Sequence, residues 1–243
     1  MATFVLIHGA CHGAWCWEKL VPLLEARGHK VVAPDLPGSG EDRTTPVSAV
    51  TLSAYVNAVS KLLDKEEEPV VLVGHSLGGM TITHVAEARR RKVAALVYLT
   101  AIMPECGQTA RDITGSEGDS LVRRSYESGP DSQTYTFKRA SVPTLFYNDC
   151  EAMDVYRAME RLRPQAVAIP TTPASFTRER WGGVKRWYVY CTRSNAITLS
   201  MQRAMVSAAP CETLSLDAGH SPFYSVPREL ADALEKIAAT ATA

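Results

Sequence analysis

The chain has 243 residues, of which 46% are hydrophobic and 21% charged, with 26 basic side chains against 26 acidic ones. That length fits one large α/β domain or two small ones, and the apolar fraction supports a packed core, which excludes general disorder. A formal net charge of zero offers nothing to a polyanion, so no nucleic-acid partner is expected.

The first element is an almost wholly apolar run at residues 3–8, the texture of a strand buried on both faces of a parallel sheet. Helical spacing follows in Trp17, Leu20, Val21 and Leu24, with a stop at Gly28. Residues 31–33 predict a second strand, and Leu52, Tyr55, Val56, Val59, Leu62 and Leu63 a second helix. The charged run at residues 64–68 reads as a solvated turn. Strands are then predicted at 69–73 and 93–99, flanking a helix at 77–89. From residue 104 to 183 the strand signal lapses, and Ala152, Val155, Tyr156, Met159 and Leu162 return at helical spacing. Strands resume at 186–191 and 211–216, with helices at 197–207 and 227–238. Such alternation implies an α/β protein, a mostly parallel sheet with helices on both faces. The expected organisation is a core of residues 1–103 and 184–243 interrupted by a helical cap at 104–183.

Six cysteines (Cys11, Cys16, Cys106, Cys150, Cys191 and Cys211) are scattered without metal-site spacing and read as reduced thiols. The apolar run Phe4, Val5, Leu6, Ile7 is too short for a signal-peptide core or a membrane span. A cytoplasmic location without membrane association is the expectation.

Chemistry concentrates at Gly74-His75-Ser76-Leu77-Gly78-Gly79, directly after an apolar strand and directly before a helical segment. This is a G-x-S-x-G nucleophile elbow in its required context. A serine on so sharp a turn has a strained backbone, and the flanking glycines let the chain approach without Cβ clashes. The turn also sets Ser76 at a helix N-terminus, where free N–H groups favour developing negative charge. A serine nucleophile needs a base that is neutral near pH 7, and histidine suits. Of six histidines, His220 in Asp217-Ala218-Gly219-His220-Ser221-Pro222 stands between the last strand and the last helix, where the triad order puts the base. His29 and His84 read as helix-end and helix-surface residues, and His75 as the variable position of the elbow. The stretch His8-Gly9-Ala10-Cys11-His12-Gly13 follows the first strand and suits the second oxyanion donor. The hole is assigned to the N–H groups of Ala10 and Leu77. His8 and His12 have no evident third ligand, so no metal is expected.

The pieces FVLIHGACHGAWCW, GHKVVAPDLPGSG, VVLVGHSLGG and the late GHSP resemble the α/β-hydrolase branch of plant hydroxynitrile lyases, plant methylesterases and bacterial small-ester carboxylesterases. The likeness spans both ends of the chain. Within the cap, Leu145-Phe146-Tyr147-Asn148-Asp149-Cys150 resembles bacterial members more than plant ones. The resemblance implies a Ser-His-Asp triad, no cofactor, and a mostly apolar pocket roofed by the cap.

Two departures from that family pattern bear on function. Cyanohydrin-cleaving members carry a threonine after the first histidine and a lysine after the catalytic one, where this chain has Gly9 and Ser221. Without that hydroxyl and ammonium, ester hydrolysis is expected. The resemblance further puts the triad acid at Ser194, in a loop without any carboxylate, and Glu105 is the candidate surrogate near the strand end at Thr100. Serine can hold the imidazole tautomer but cannot offset the positive charge formed in catalysis. Three readings stay open: a weakened dyad, a relocated acid, or a serine that replaces the natural acid.

The leading expectation is a cofactor-free serine carboxylesterase acting on a small-molecule, largely apolar ester. Non-hydrolytic lyase or decarboxylase chemistry and a slow-turnover ligand receptor are the alternatives, and a homodimer is an open option. The aromatic residues Tyr126, Tyr135, Phe137, Phe146, Tyr147, Phe176 and Trp181 are candidates to line the pocket or to pack the cap. A pocket lined in that way would favour bulky hydrophobic esters, pyrethroids among them.

Overall fold

The computed structural model describes residues 1–118 and 120–241. Its strands, in chain order, are β1 (Thr3–Ile7), β2 (Lys30–Val32), β3 (Val70–His75), β4 (Val93–Leu99), β5 (Tyr126–Ser128), β6 (Thr134–Phe137), β7 (Gln165–Ala166), β8 (Lys185–Cys191) and β9 (Glu212–Leu216). Six of them form one parallel sheet in the order β2-β1-β3-β4-β8-β9. All six lie where apolar runs predict them. The predicted third strand runs two residues further, through Gly74 and His75, because its pairing with β4 continues to Leu99.

Alternation along the strands separates two cores. Phe4, Leu6, Val71, Val73, Val97 and Val189 face one side, while Val5, Ile7, Leu72, Leu96, Tyr98 and Tyr188 face the other. On the first side lie α1 (Val21–Glu25) and, at the end of the chain, residues 227–241. The second side is covered by α2 (Leu52–Leu63) and α3 (Gly78–Arg89). Thr51 caps α2 by accepting the Ala54 N–H at 3.2 Å, and Leu52, Tyr55, Val59 and Leu63 form its buried stripe.

β4 and β8 pair directly from Ala95↔Lys185 to Leu99↔Val189, so the intervening residues form one long connection that leaves from the carboxyl end of β4. It carries the helices α4 (Ala110–Thr114), α5 (Leu121–Ser125), α6 (Val142–Phe146), α7 (Ala152–Arg161) and α8 (Ala168–Thr171). To these it adds something its sequence does not announce: β5, β6 and β7 form a separate antiparallel sheet. The β5–β6 turn is organised by Asp131, whose Oδ1 accepts the N–H groups of Gln133 and Thr134 at 2.9 and 3.2 Å. After β8 come α9 (Leu199–Ala208), α10 (Pro222–Ser225) and α11 (Pro227–Ala241). Among the described residues, no helix is long and apolar enough to cross a membrane.

Sequence order reverses between β1 and β3, which are neighbours in the sheet while β2 lies outside them. Loops at the carboxyl ends of these two strands part at that point, which is where open α/β sheets form ligand crevices.

Candidate active site

Ser76 follows β3 directly, at φ 52°, in the left-handed region that side chains disfavour. Two hydrogen bonds hold the strained turn: Ser76 N–H donates to the Leu99 carbonyl at 3.4 Å, and Ile102 N–H donates to the Ser76 carbonyl at 3.0 Å. Glycines allow the close packing behind it. A Cβ on Gly78 would lie 2.7 Å from the Ile7 carbonyl oxygen, and one on Gly9 would lie 2.8 Å from the Ser76 Cβ. The elbow thus rests against the chain that leaves β1.

His220, in the loop between β9 and α10, is fully buried and sets Nε2 at 3.0 Å from the Ser76 hydroxyl oxygen. Its other nitrogen, Nδ1, stands 2.9 Å from Oγ of Ser194, in the loop after β8. That serine oxygen also accepts the Ile197 N–H at 3.3 Å. Ser76, His220 and Ser194 therefore form one chain of contacts, with a hydroxyl where the family pattern has a carboxylate. The surrogate Glu105 is not brought to this chain: its side chain is exposed, and its N–H donates to Gln108 Oε1 at 3.0 Å. The Nδ1 position that an acid would take is filled by Ser194 instead.

Burial drives the His220 pKa down, helped by His12, to about 3. The imidazole is neutral at pH 7 and able to accept a proton. Phe146 and His75 enclose it, with ring centroids 5.7 and 4.7 Å away.

Five side chains support this arrangement in ways the sequence does not show. His75 donates Nε2–H to the His220 carbonyl at 2.8 Å, so the variable position of the elbow carries the base loop. Asp149, in the connection between β4 and β8, accepts the Gly219 N–H on Oδ2 at 2.6 Å and lies 3.4 Å from Arg193 Nη2. Its neighbour Asn148 donates Nδ2–H to the Arg193 carbonyl at 3.0 Å. The hexapeptide LFYNDC was the available signal, although nothing in it names Gly219 as the partner. His12 donates Nδ1–H to the Ala10 carbonyl at 2.7 Å and accepts the Tyr147 hydroxyl on Nε2 at 2.7 Å. His8 likewise uses both nitrogens, on the Gly9 carbonyl at 2.9 Å and the Leu36 N–H at 3.2 Å. These two rings fix the loop after β1 from within.

Ser76, Ala10 and Leu77 open on a cavity of about 540 Å³. The backbone N–H groups of Ala10 and Leu77 make no hydrogen bond among the described residues, which leaves both free beside the serine. Of the seven candidate aromatics, Tyr126, Tyr135, Phe137 and Phe146 line this cavity. Tyr147 holds His12 instead, while Phe176 and Trp181 pack on each other at 4.4 Å. Trp181 also donates Nε1–H to the Tyr98 hydroxyl at 2.8 Å, on the second core face.

A strand-turn-helix serine, a late histidine and a sheet of this order define an α/β hydrolase. The model of the alpha/beta hydrolase family matches residues 4–233, and the chain belongs to that family. It is 32% identical over 251 residues to Methylesterase 1 of Arabidopsis thaliana, an alignment covering 97% of this chain and 95% of that protein. Salicylic acid-binding protein 2 of Nicotiana tabacum is 34% identical over 253 residues, covering 97% and 96%. Among solved structures, a pyrethroid hydrolase from Sphingobium faniae JZ-2 superposes with a TM-score of 0.89 at 29% identity, covering 98% of this chain and 97% of that one. With such relatives the protein falls among the carboxylic ester hydrolases.

Proposed function

We propose that the protein is a serine carboxylesterase cleaving small, largely apolar carboxylic esters through an acyl-enzyme on Ser76. One observation carries the reading: the Ser76 hydroxyl lies 3.0 Å from His220 Nε2 and opens on the cavity. With Ser194 Oγ accepting from Nδ1–H, the free lone pair of His220 sits on Nε2 and faces the serine. His220 takes the Ser76 proton as Oγ attacks the ester carbonyl. The N–H groups of Ala10 and Leu77 receive the oxyanion; one such donor is worth ~10²–10³ in turnover. The protonated imidazole then passes its proton to the leaving alcohol, and water, deprotonated by the same nitrogen, releases the acid.

Residues 104–183 act in this reading as a cap over the core formed by 1–103 and 184–243. Phe146 supports that role, since it borders both the cavity and the His220 ring. Bulky hydrophobic esters fit the four aromatic side chains of the lining, and the likeness to a pyrethroid hydrolase supports testing that class. A cytoplasmic setting belongs to the same reading, supported by six free thiols.

The decisive experiment is turnover of p-nitrophenyl butyrate by the protein and by its Ser76→Ala variant. Loss of turnover in the variant supports the proposal, and unchanged turnover removes it. Ser194 also favours a second reading, non-hydrolytic cleavage on the same scaffold, because a charge-poor histidine suits chemistry without a full triad. Product analysis with a cyanohydrin and with a 3-keto acid separates the two, since cleavage of neither eliminates the second.

A further inference from the structure

We propose that the preferred substrates carry a second, ionised carboxylate at the end remote from the scissile bond, as half-esters of dicarboxylic acids do, and that Arg111 and Arg123 receive it. This inference rests on the esterase reading and narrows its substrate class: an apolar middle with an anionic end.

The cavity is largely apolar, with Ile102, Val122, Phe137 and Ile197 in its lining, yet Arg111 and Arg123 line it as well. The two belong to one wall. Gly115 closes α4 by donating its N–H to the Arg111 carbonyl at 2.9 Å, and the Arg123 side chain passes over it, with Cδ 3.8 Å from where a Gly115 Cβ would stand. Arg111 is held in place before any ligand arrives. Its Nη2 donates to the Tyr126 hydroxyl at 2.5 Å, its guanidinium lies 5.0 Å from that ring's centroid, and Tyr126 stacks on Tyr135 at 4.8 Å.

Among the described residues neither arginine has a carboxylate partner, whereas Arg27, Arg89 and Arg161 elsewhere on the surface all close ion pairs. Asp112, the one acid among the described residues that line the cavity, is already engaged. Its Oδ2 accepts the N–H and the hydroxyl of Thr109 at 2.8 and 2.7 Å, completing a capping box. The wall keeps surplus positive charge in a fork geometry that matches a carboxylate. A neutral ester gives that charge nothing to bind. In the reaction, Ser76 takes up the acyl group with its distant carboxylate intact as the ester C–O bond breaks and the protonated alcohol leaves; water then cleaves the acyl-serine bond, releasing the dicarboxylate and restoring the serine.

The test compares kcat/KM for monomethyl half-esters, from succinate to sebacate, with the dimethyl esters of the same acids. At the chain length that spans from Ser76 to the guanidinium groups, the half-ester is expected to lead by about tenfold, the worth of one charge-assisted hydrogen bond. That lead should shrink as salt rises, and in Arg111→Gln/Arg123→Gln the ratio of half-ester to diester should fall towards one. A diester turned over as well at every length, or a ratio that survives the double substitution, overturns the inference. Inhibition of the unaltered enzyme repeats the test without a variant: suberate is expected to compete more strongly than octanoate, and equal inhibition counts against the proposal. Turnover of p-nitrophenyl butyrate without any half-ester preference sinks this inference alone, whereas absence of turnover on every ester sinks the esterase reading with it.

Discussion

Oγ of Ser194 stands 2.9 Å from Nδ1 of His220, so the histidine that faces Ser76 leans on a neutral hydroxyl. The consequence is electrostatic. A hydroxyl fixes the tautomer, but in the proposed mechanism the imidazolium formed during attack meets no carboxylate at Nδ1 among the described residues, in a buried setting that already holds the ring neutral. Ser194→Asp should add that charge, with Ile197 N–H still available to the new carboxylate. The expected result is a His220 pKa raised by ~1–3 pH units and kcat higher by about ten- to a thousandfold. The pH profile reports it directly. In the parent protein the acid limb of kcat/KM should lie far below the ordinary histidine value, near the His220 pKa of about 3. In the variant that limb should move up towards neutrality. An unmoved limb and unchanged kcat would deny that Ser194 limits the site.

Histidine burial also governs stability in acid. His8, His12, His75 and His220 are all buried, and burial lowers each pKa, to about 4 for His12 and about 3 for His220. Unfolding restores each to ~6.5. Above that pH both states are neutral and these groups impose no pH dependence. Below it the unfolded chain binds protons that the folded chain refuses, so stability falls as pH drops towards the folded values. Urea unfolding at a series of pH values should show stability level above pH ~7 and declining from ~6.5 to ~4, by up to ~1.4 kcal/mol per pH unit for each histidine. A flat profile across that window would contradict the buried neutral assignment.

Gly9 packs directly against the turn that carries Ser76. A Cβ there would fall 2.8 Å from the Ser76 Cβ and 3.1 Å from His75 Nδ1. Gly9→Ala should therefore displace the elbow, costing ~1–3 kcal/mol of stability and lowering kcat more than it raises KM. Thermal unfolding and steady-state kinetics on p-nitrophenyl butyrate check both effects. Full activity at unchanged Tm would mean that the loop after β1 yields freely.

Legibility in the sequence followed burial and separation along the chain. β3 and β4 are buried almost throughout, so their apolar runs announce them without ambiguity. The elbow was readable because strand, serine and helix are contiguous, and the family pattern pointed to Ser194 as the unusual position. β5 and β6 were not readable: three and four residues with a partly exposed alternation carry too little periodicity to stand out from a loop. Asp149 was visible only as a letter in a motif, because its partner Gly219 is 70 residues away. Arg111 and Arg123 carry no signal in the sequence, because only the folding of α4 and α5 against one cavity brings them together.

Asp149 is expected to hold the His220 loop chiefly through its acceptor oxygen. Asp149→Ala leaves the Gly219 N–H without its partner and frees Arg193 from one of its two acidic neighbours. Stability should drop by ~1–3 kcal/mol, and kcat by about tenfold with little change in KM, since the cavity lining is untouched. Asp149→Asn, which keeps an acceptor, should recover most of the loss. Equal damage from both variants would assign the effect to charge alone, and no damage from either would remove Asp149 from the support of His220.

The most direct measurement of the central claim is covalent trapping. Incubation with a fluorophosphonate, which phosphonylates an activated serine, followed by intact-mass analysis and peptide mapping, should find one adduct per chain, on Ser76. The adduct should form far more slowly in His220→Ala, because the proposed mechanism makes Nε2, 3.0 Å from the hydroxyl, the group that activates it. An adduct on any other residue, or ester turnover that persists while Ser76 stays unlabelled, would contradict the account.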